Sequence, residues 1–144
     1  MAKIKRELQR EGADVKILHV VVKHKWYEMQ ACGEKTEEYR EITPYWYSRL
    51  YRRKKETGYS GPVSKEGLEY CCHPNQRHIL RAGGFIDHEL KPYTHIGIHD
   101  GYTKKMTIFK ITGITVGKGR PDWGAPTDRD VFIIMHYRKG GLFI

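Results

Sequence analysis

The chain is poor in the features that stabilise a protein without a packed core. It has only three cysteines in 144 residues, two of them adjacent, which makes no disulfide framework. No stretch approaches the roughly 20 apolar residues of a membrane-spanning helix, so no span is expected. The first residues, Met1-Ala2-Lys3-Ile4-Lys5-Arg6-Glu7-Leu8, are charged and lack the apolar region of a signal peptide, and a cytoplasmic chain is the expectation. There is no internal repeat and no low-complexity tract, which excludes solenoid and fibrous architectures. Acidic residues are in the minority, with 17 Asp and Glu against 26 Lys and Arg, a formal charge of +9 and a pI near 9.5.

What is present argues for one folded domain. Ten tyrosines and three tryptophans need burial, which excludes disorder over the whole chain. The length suits a single domain with a real core. The positive charge is uneven: residues 1–55 carry +6, residues 56–93 carry −1 and residues 94–144 carry +4. A basic surface favours phosphate-bearing partners through counterion release.

Residues 1–14 read as a polar extension. Val15 to Val22 is β-branched and apolar, the pattern of a buried strand. Lys25 to Ala31 has helical spacing, with Trp26, Met29 and Gln30 on one face, and Gly33 ends that helix where a positive φ is cheap only for glycine. Thr36 to Ile42 alternates as a strand. Thr43-Pro44 is a helix start, with threonine as N-cap and proline in first position, and predicts a helix over Tyr45 to Lys54 with a basic end. Residues 56–93, punctuated by glycine and proline, read as a loop-rich insertion with short helices near Ser64 to Tyr70 and Gln76 to Ala82. Tyr93 to His99 is a half-buried strand and Asp100-Gly101 a hairpin turn. Met106 to Val116 is a long strand in which Gly113 predicts a bulge or bend. Lys118 to Asp130 is a loop, and Val131 to Tyr137 the last strand. The fold class that follows is α+β, a small β-barrel flanked by two or three short helices.

The densest chemistry lies in Gly33-Glu34-Lys35-Thr36-Glu37-Glu38-Tyr39-Arg40. Strand alternation puts Glu38 and Arg40 on one face, with Lys35 entering from the turn. An ammonium, a carboxylate and a guanidinium together can hold a phosphate, grip a base edge or transfer a proton. An exposed, salt-bridged edge strand is the plain alternative. Tyr39, Tyr45, Tyr102 and Trp123 suit base stacking and equally suit core packing, whereas Trp26 and Trp46 read as core. Arg49, Arg52, Arg53, Lys54 and Lys55 suit either a phosphate track or a solvated helix end. Cys71-Cys72-His73, with His78 and His88, invites a zinc reading, but adjacent cysteines lack the usual Cys-x2-Cys spacing, so neither metal nor cofactor is expected. His95 and His99, four apart on one strand face and about 13 Å from each other, are too distant to share an ion. Cys32 reads as a core residue.

Gly33, Lys35, Glu38 and Arg40, set behind Trp26 and Met29, resemble the signature of ASCH domains of the PUA-like superfamily, small single-domain bacterial and phage type. Asp100-Gly101-Tyr102 and Gly117-Lys118-Gly119 followed by Trp123-Gly124-Ala125-Pro126 are similar to their distal segments. The likeness covers residues 15–54 and 94–138 and leaves about 56–93 as an insertion within a domain over 15–144. It implies a PUA-like barrel and an RNA- or nucleotide-binding cleft lined by Lys35, Glu38 and Arg40. Tyr39, Tyr102, Lys118 and Trp123 are the further residues suited to serve such a cleft as ligand-binding groups. One branch of the superfamily hydrolyses N4-acetylcytidine with a lysine, a threonine and a glutamate, and another is a ribonuclease. Lys35 fits that lysine and would act with Glu38, but Glu38 stands where that branch has its threonine. The alternatives to binding are therefore a hydrolase on a modified nucleoside or RNA, and a protein-interaction module.

Overall fold

A computed structural model describes residues 14–55, 61–138 and 142–143. Most of the N-terminal extension read over 1–14, and the start of the insertion, lie outside the described residues. Eight strands and four α-helices are assigned among them: β1 Ile17–Val22, α1 His24–Ala31, β2 Glu37–Arg40, α2 Pro44–Leu50, β3 Tyr51–Arg53, α3 Lys65–Cys71, α4 Arg77–Arg81, β4 His88–Leu90, β5 His95–Asp100, β6 Met106–Gly117, β7 Val131–His136 and β8 Leu142–Phe143. One sheet has the order β1-β5-β6-β7-β2, with β8 pairing β6, and β3 pairs β4 in a second sheet. The class is mixed α+β. No closed barrel is found among the described residues, and no described helix is long and apolar enough to cross a membrane.

The chain divides into two compact units. The first comprises the segment up to Thr36, Pro92–Thr112 and the segment from Met135. Here β1 runs parallel to β5, with Ile17 opposite His95 and Val22 opposite Asp100, and β5 is antiparallel to the start of β6. Leu18, Val20, Ile96, Ile98, Ile108 and Phe109 form its apolar interior. Burial of these side chains removes apolar surface from water and is the main stabilising effect. Helix α1 turns Tyr27 and Gln30 inward. The Tyr27 hydroxyl and Thr107 Oγ1 lie 2.9 Å apart, and Gln30 Oε1 lies 2.9 Å from His136 Nε2. His136 in turn stacks on Phe109, with centroids 4.6 Å apart. Gly33 ends the helix turn at φ +87°, and a Cβ there would come within 2.8 Å of Arg138 Cγ, so both conformation and space demand glycine. Two readings need correction in this unit. Trp26 is only half-buried rather than core, and Cys32 is exposed.

The second unit comprises Glu37–Lys91 and Gly113–Ile134. Thr43 caps α2 by accepting from Trp46 N–H at 3.3 Å, and Pro44 occupies the first turn. The helix stops at Leu50, not at Lys54. Tyr51 turns extended, at φ −116° and ψ 154°, and the basic run continues as β3, antiparallel to β4. The cause is tertiary: the buried Tyr51 ring stacks on Tyr47 at 4.5 Å, and Arg52 meets Glu89 of β4 at 3.5 Å. Pairing and burial outweigh helix propensity differences of a few tenths of a kcal/mol per residue. Gly113 does not interrupt β6, which is assigned continuously from Met106 to Gly117. The segment read as a loop-rich insertion carries α3, α4 and β4, and it buries Val63, Cys71, Cys72 and Leu80.

His88 on β4 packs near this core. Its Nδ1 lies 2.6 Å from the Tyr47 hydroxyl and 3.8 Å from Cys71 Sγ. Burial holds the imidazole below its ordinary value of 6.5. The folded state therefore binds fewer protons than the unfolded chain near that pH, and stability rises with pH through this window. With its proton on Nε2, the ring accepts the Tyr47 hydroxyl proton; a second proton on Nδ1 removes that acceptor. Melting temperature is accordingly expected to hold from pH 8 to about 6.5 and to fall on further acidification. His88→Gln is expected to flatten that acid limb, and an unchanged slope in the variant would exclude His88 as its cause.

Candidate functional site

The second unit gathers charge and aromatic surface around β2. Alternation along Glu37–Arg40 puts Glu38 and Arg40 on one side and Glu37 and Tyr39 on the other. Glu38 is 3% exposed, and its Oε2 lies 3.2 Å from an Arg40 guanidinium nitrogen, which also donates to the Tyr39 carbonyl at 3.0 Å. The Arg40 guanidinium carbon sits 5.0 Å from the centroid of Trp46, and that of Arg49 sits 4.8 Å from the same ring. Arg49 also lies 5.7 Å from the Tyr45 ring, which meets Trp46 edge-on at 5.2 Å. Tyr45 is 62% exposed and Trp46 half-buried. A face that joins cations to aromatic rings offers stacking and cation–π attraction to a flat ligand. The expectation that Trp46 is core is thus corrected. The signal was available: the Thr43-Pro44 start fixes the phase of α2, which puts Trp46 and Arg49 three apart and Tyr45 and Arg49 four apart on one flank.

Tyr39 serves an internal purpose. Its hydroxyl donates to Glu37 Oε1 at 2.6 Å and accepts from Arg120 N–H at 3.0 Å. Burial, with the Glu37 carboxylate second, pushes the phenol well above its usual value. The loop after β6 is built around this ring. A Cβ on Gly119 would lie 2.6 Å from both Tyr39 and Ala125, so only glycine lets the loop close on it. Trp123 is buried under Arg120, whose guanidinium carbon is 3.9 Å from the ring centroid and which pairs with Asp122 at 2.7 Å. Tyr39 and Trp123 are therefore packed rings in this structure, while Lys118 is exposed on the same loop.

Two further candidates belong to the first unit. Lys35 is 1% exposed, with its ammonium 5.8 Å from the Trp26 centroid, and its backbone N–H donates to Met29 O. Tyr102 projects from the β5–β6 turn and is 99% exposed. Of the three motif residues, Glu38 and Arg40 form a pair within the second unit and Lys35 is part of the first.

The cysteine–histidine segment is occupied by packing. Cys71 and Cys72 are buried, and burial pushes the Cys72 thiol up to about 11. Thiols held protonated in this way are poor ligands and poor nucleophiles. His73 and His78 are exposed. His99 Nε2 lies 2.9 Å from Nδ1 of His19 on the neighbouring strand, a partner 80 residues away that spacing along one strand does not reveal. A search of family models, of curated proteins and of solved structures finds no match to this chain.

Proposed function

We propose that this chain binds RNA or a nucleotide in the cytoplasm, on the face formed by Glu38, Arg40, Tyr45, Trp46 and Arg49, and that its fold is a PUA-like domain of the ASCH type. The observation that carries the reading is the pair of guanidinium groups set against one half-buried indole, beside an exposed tyrosine, in a chain of charge +9. A base stacks on the Tyr45 and Trp46 rings, Arg40 and Arg49 meet phosphate or base acceptors, and Glu38 accepts from an exocyclic amino group. Lys35 enters this reading through the motif alone.

A hydrolase on a modified nucleoside or RNA is the second reading. It is favoured by the burial of Lys35 against Trp26, a setting that suits a reactive amine.

The test of binding is the salt dependence of affinity for a short single-stranded RNA. Each phosphate contact contributes about −0.7 to the slope of log K against log salt concentration for single strands. A slope equivalent to several contacts is expected. A flat dependence, or no binding at low salt, would remove nucleic acid as the partner.

A further inference from the structure

We propose that His24, Glu28 and Asp100 form a binding site for one divalent transition-metal ion, of the zinc, cobalt or manganese class. Each offers a ligand atom, and these atoms all lie within 4.8 Å of one another. His24 is the first residue of α1, Glu28 stands one turn further on, and Asp100 ends β5, so two elements of the same unit converge on one point. This inference is independent of the RNA reading.

The three groups gather around one buried carboxylate. Asp100 is 5% exposed, and among the described residues its side chain meets one partner, the His24 imidazole, with Nδ1 at 2.9 and 3.1 Å from the two carboxylate oxygens. Burying a carboxylate is costly unless a positive group compensates it. The His24 side chain is 67% exposed and stands at the start of the helix, so the ring is open to an ion from solution while the buried Asp100 carboxylate lies behind it. Glu28 brings a second carboxylate, with Oε1 3.7 Å from His24 Nε2. Lys25 is drawn aside, its ammonium lying 4.7 Å from the Trp26 ring centroid.

One imidazole and two carboxylates suit a borderline first-row ion, whereas magnesium and calcium prefer all-oxygen sets. To form metal–ligand bonds of about 2.0–2.2 Å the exposed His24 and Glu28 side chains turn toward one point, since in this structure the ring meets Asp100 through Nδ1 and Glu28 through Nε2, and two carboxylates neutralise the ion's charge. Three protein ligands leave a further position to water. Bound there, the ion fastens the start of α1 to the end of β5.

The experiment uses the full chain stripped with a chelator, then titrated with zinc by calorimetry and with cobalt by visible absorption. One ion per chain is expected, with a cobalt spectrum free of thiolate charge transfer and a zinc-dependent rise in melting temperature. His24→Ala and Glu28→Gln change exposed side chains, so both variants should fold. Each is expected to weaken zinc at least tenfold, and His24→Ala to abolish the thermal shift. Absence of binding, a thiolate band, or zinc affinity unchanged in His24→Ala would overturn the site.

Discussion

Replacing Trp46 by alanine is expected to weaken binding of a short single-stranded RNA by about tenfold or more while leaving the fold intact. One stacked base is worth ~1–3 kcal/mol, and loss of the indole also removes the surface against which Arg40 and Arg49 rest. Arg49→Ala is the cleaner companion, since it removes a cation from α2 without touching the ion pair on β2. Arg40→Ala does two things at once. It deletes a guanidinium from the face and takes away the 3.2 Å ion partner of Glu38, which is 3% exposed, so lower stability is expected beside weaker binding. Glu38→Gln separates the two functional readings. The amide keeps the shape and one acceptor but cannot take a proton. A binding protein keeps most of its affinity, whereas a hydrolase keeps binding and loses turnover by ~10²-fold or more. Lys35→Ala distinguishes them again, because only the hydrolase reading places a reacting group there. Isothermal titration and a product assay on one nucleoside panel read all five variants. Unchanged affinity in Trp46→Ala, Arg49→Ala and Arg40→Ala together would sink the assignment of this face.

Much of the local framework is legible in the sequence because it depends on residues close in the chain. Gly33 marks a helix end that needs positive φ, and Thr43-Pro44 marks a helix start that needs a side-chain acceptor and tolerates a missing N–H. Glu38 and Arg40 share a face because strands have a period of two. What escaped is set by distant partners. Nothing near Tyr51 predicts that it leaves the helix, since the cause is a strand about 40 residues on and a stacked ring beneath it. Trp46 is a different case: it read as core because a tryptophan usually is, although the helix phase set by Thr43-Pro44 already puts Arg49 on its flank, and only Arg40 comes to the ring from another element. His19 and His99, or His24 and Asp100, meet only because β1 lies parallel to β5, a pairing that leaves no signature in either strand alone. The glycines and prolines of residues 56–93 were read as loop signals, but there they separate short helices that still bury apolar faces.

Removing residues 61–91 in favour of a short glycine–serine linker is therefore expected to abolish cooperative unfolding of the second unit. Loop length alone would make such a deletion cheap, because closure entropy grows only slowly with length. The segment is more than a loop. It brings Val63, Cys71, Cys72 and Leu80 into the interior, each less than 10% exposed. It also supplies β4, the antiparallel partner of β3, whose Lys91 neighbour donates to the Leu50 carbonyl at 2.7 Å. His88 sits against Tyr47, a fully buried side chain, and Arg81 reaches Asp130 at 3.1 Å. Without the segment the Tyr47 hydroxyl loses its imidazole partner, and the stacked Tyr47 and Tyr51 rings lose part of their cover. Truncating one such buried leucine costs about 2–5 kcal/mol, against a total stability of about 5–15 kcal/mol for a domain. Leu80→Ala is the milder arm, expected to lower the denaturant midpoint with an unchanged slope. Circular dichroism and intrinsic tryptophan fluorescence during denaturant titration read both variants. A cooperative transition at the wild-type midpoint in the deletion would show instead that residues 61–91 are an independent appendage, and that Tyr47, Tyr51 and Phe132 hold the second unit together without them.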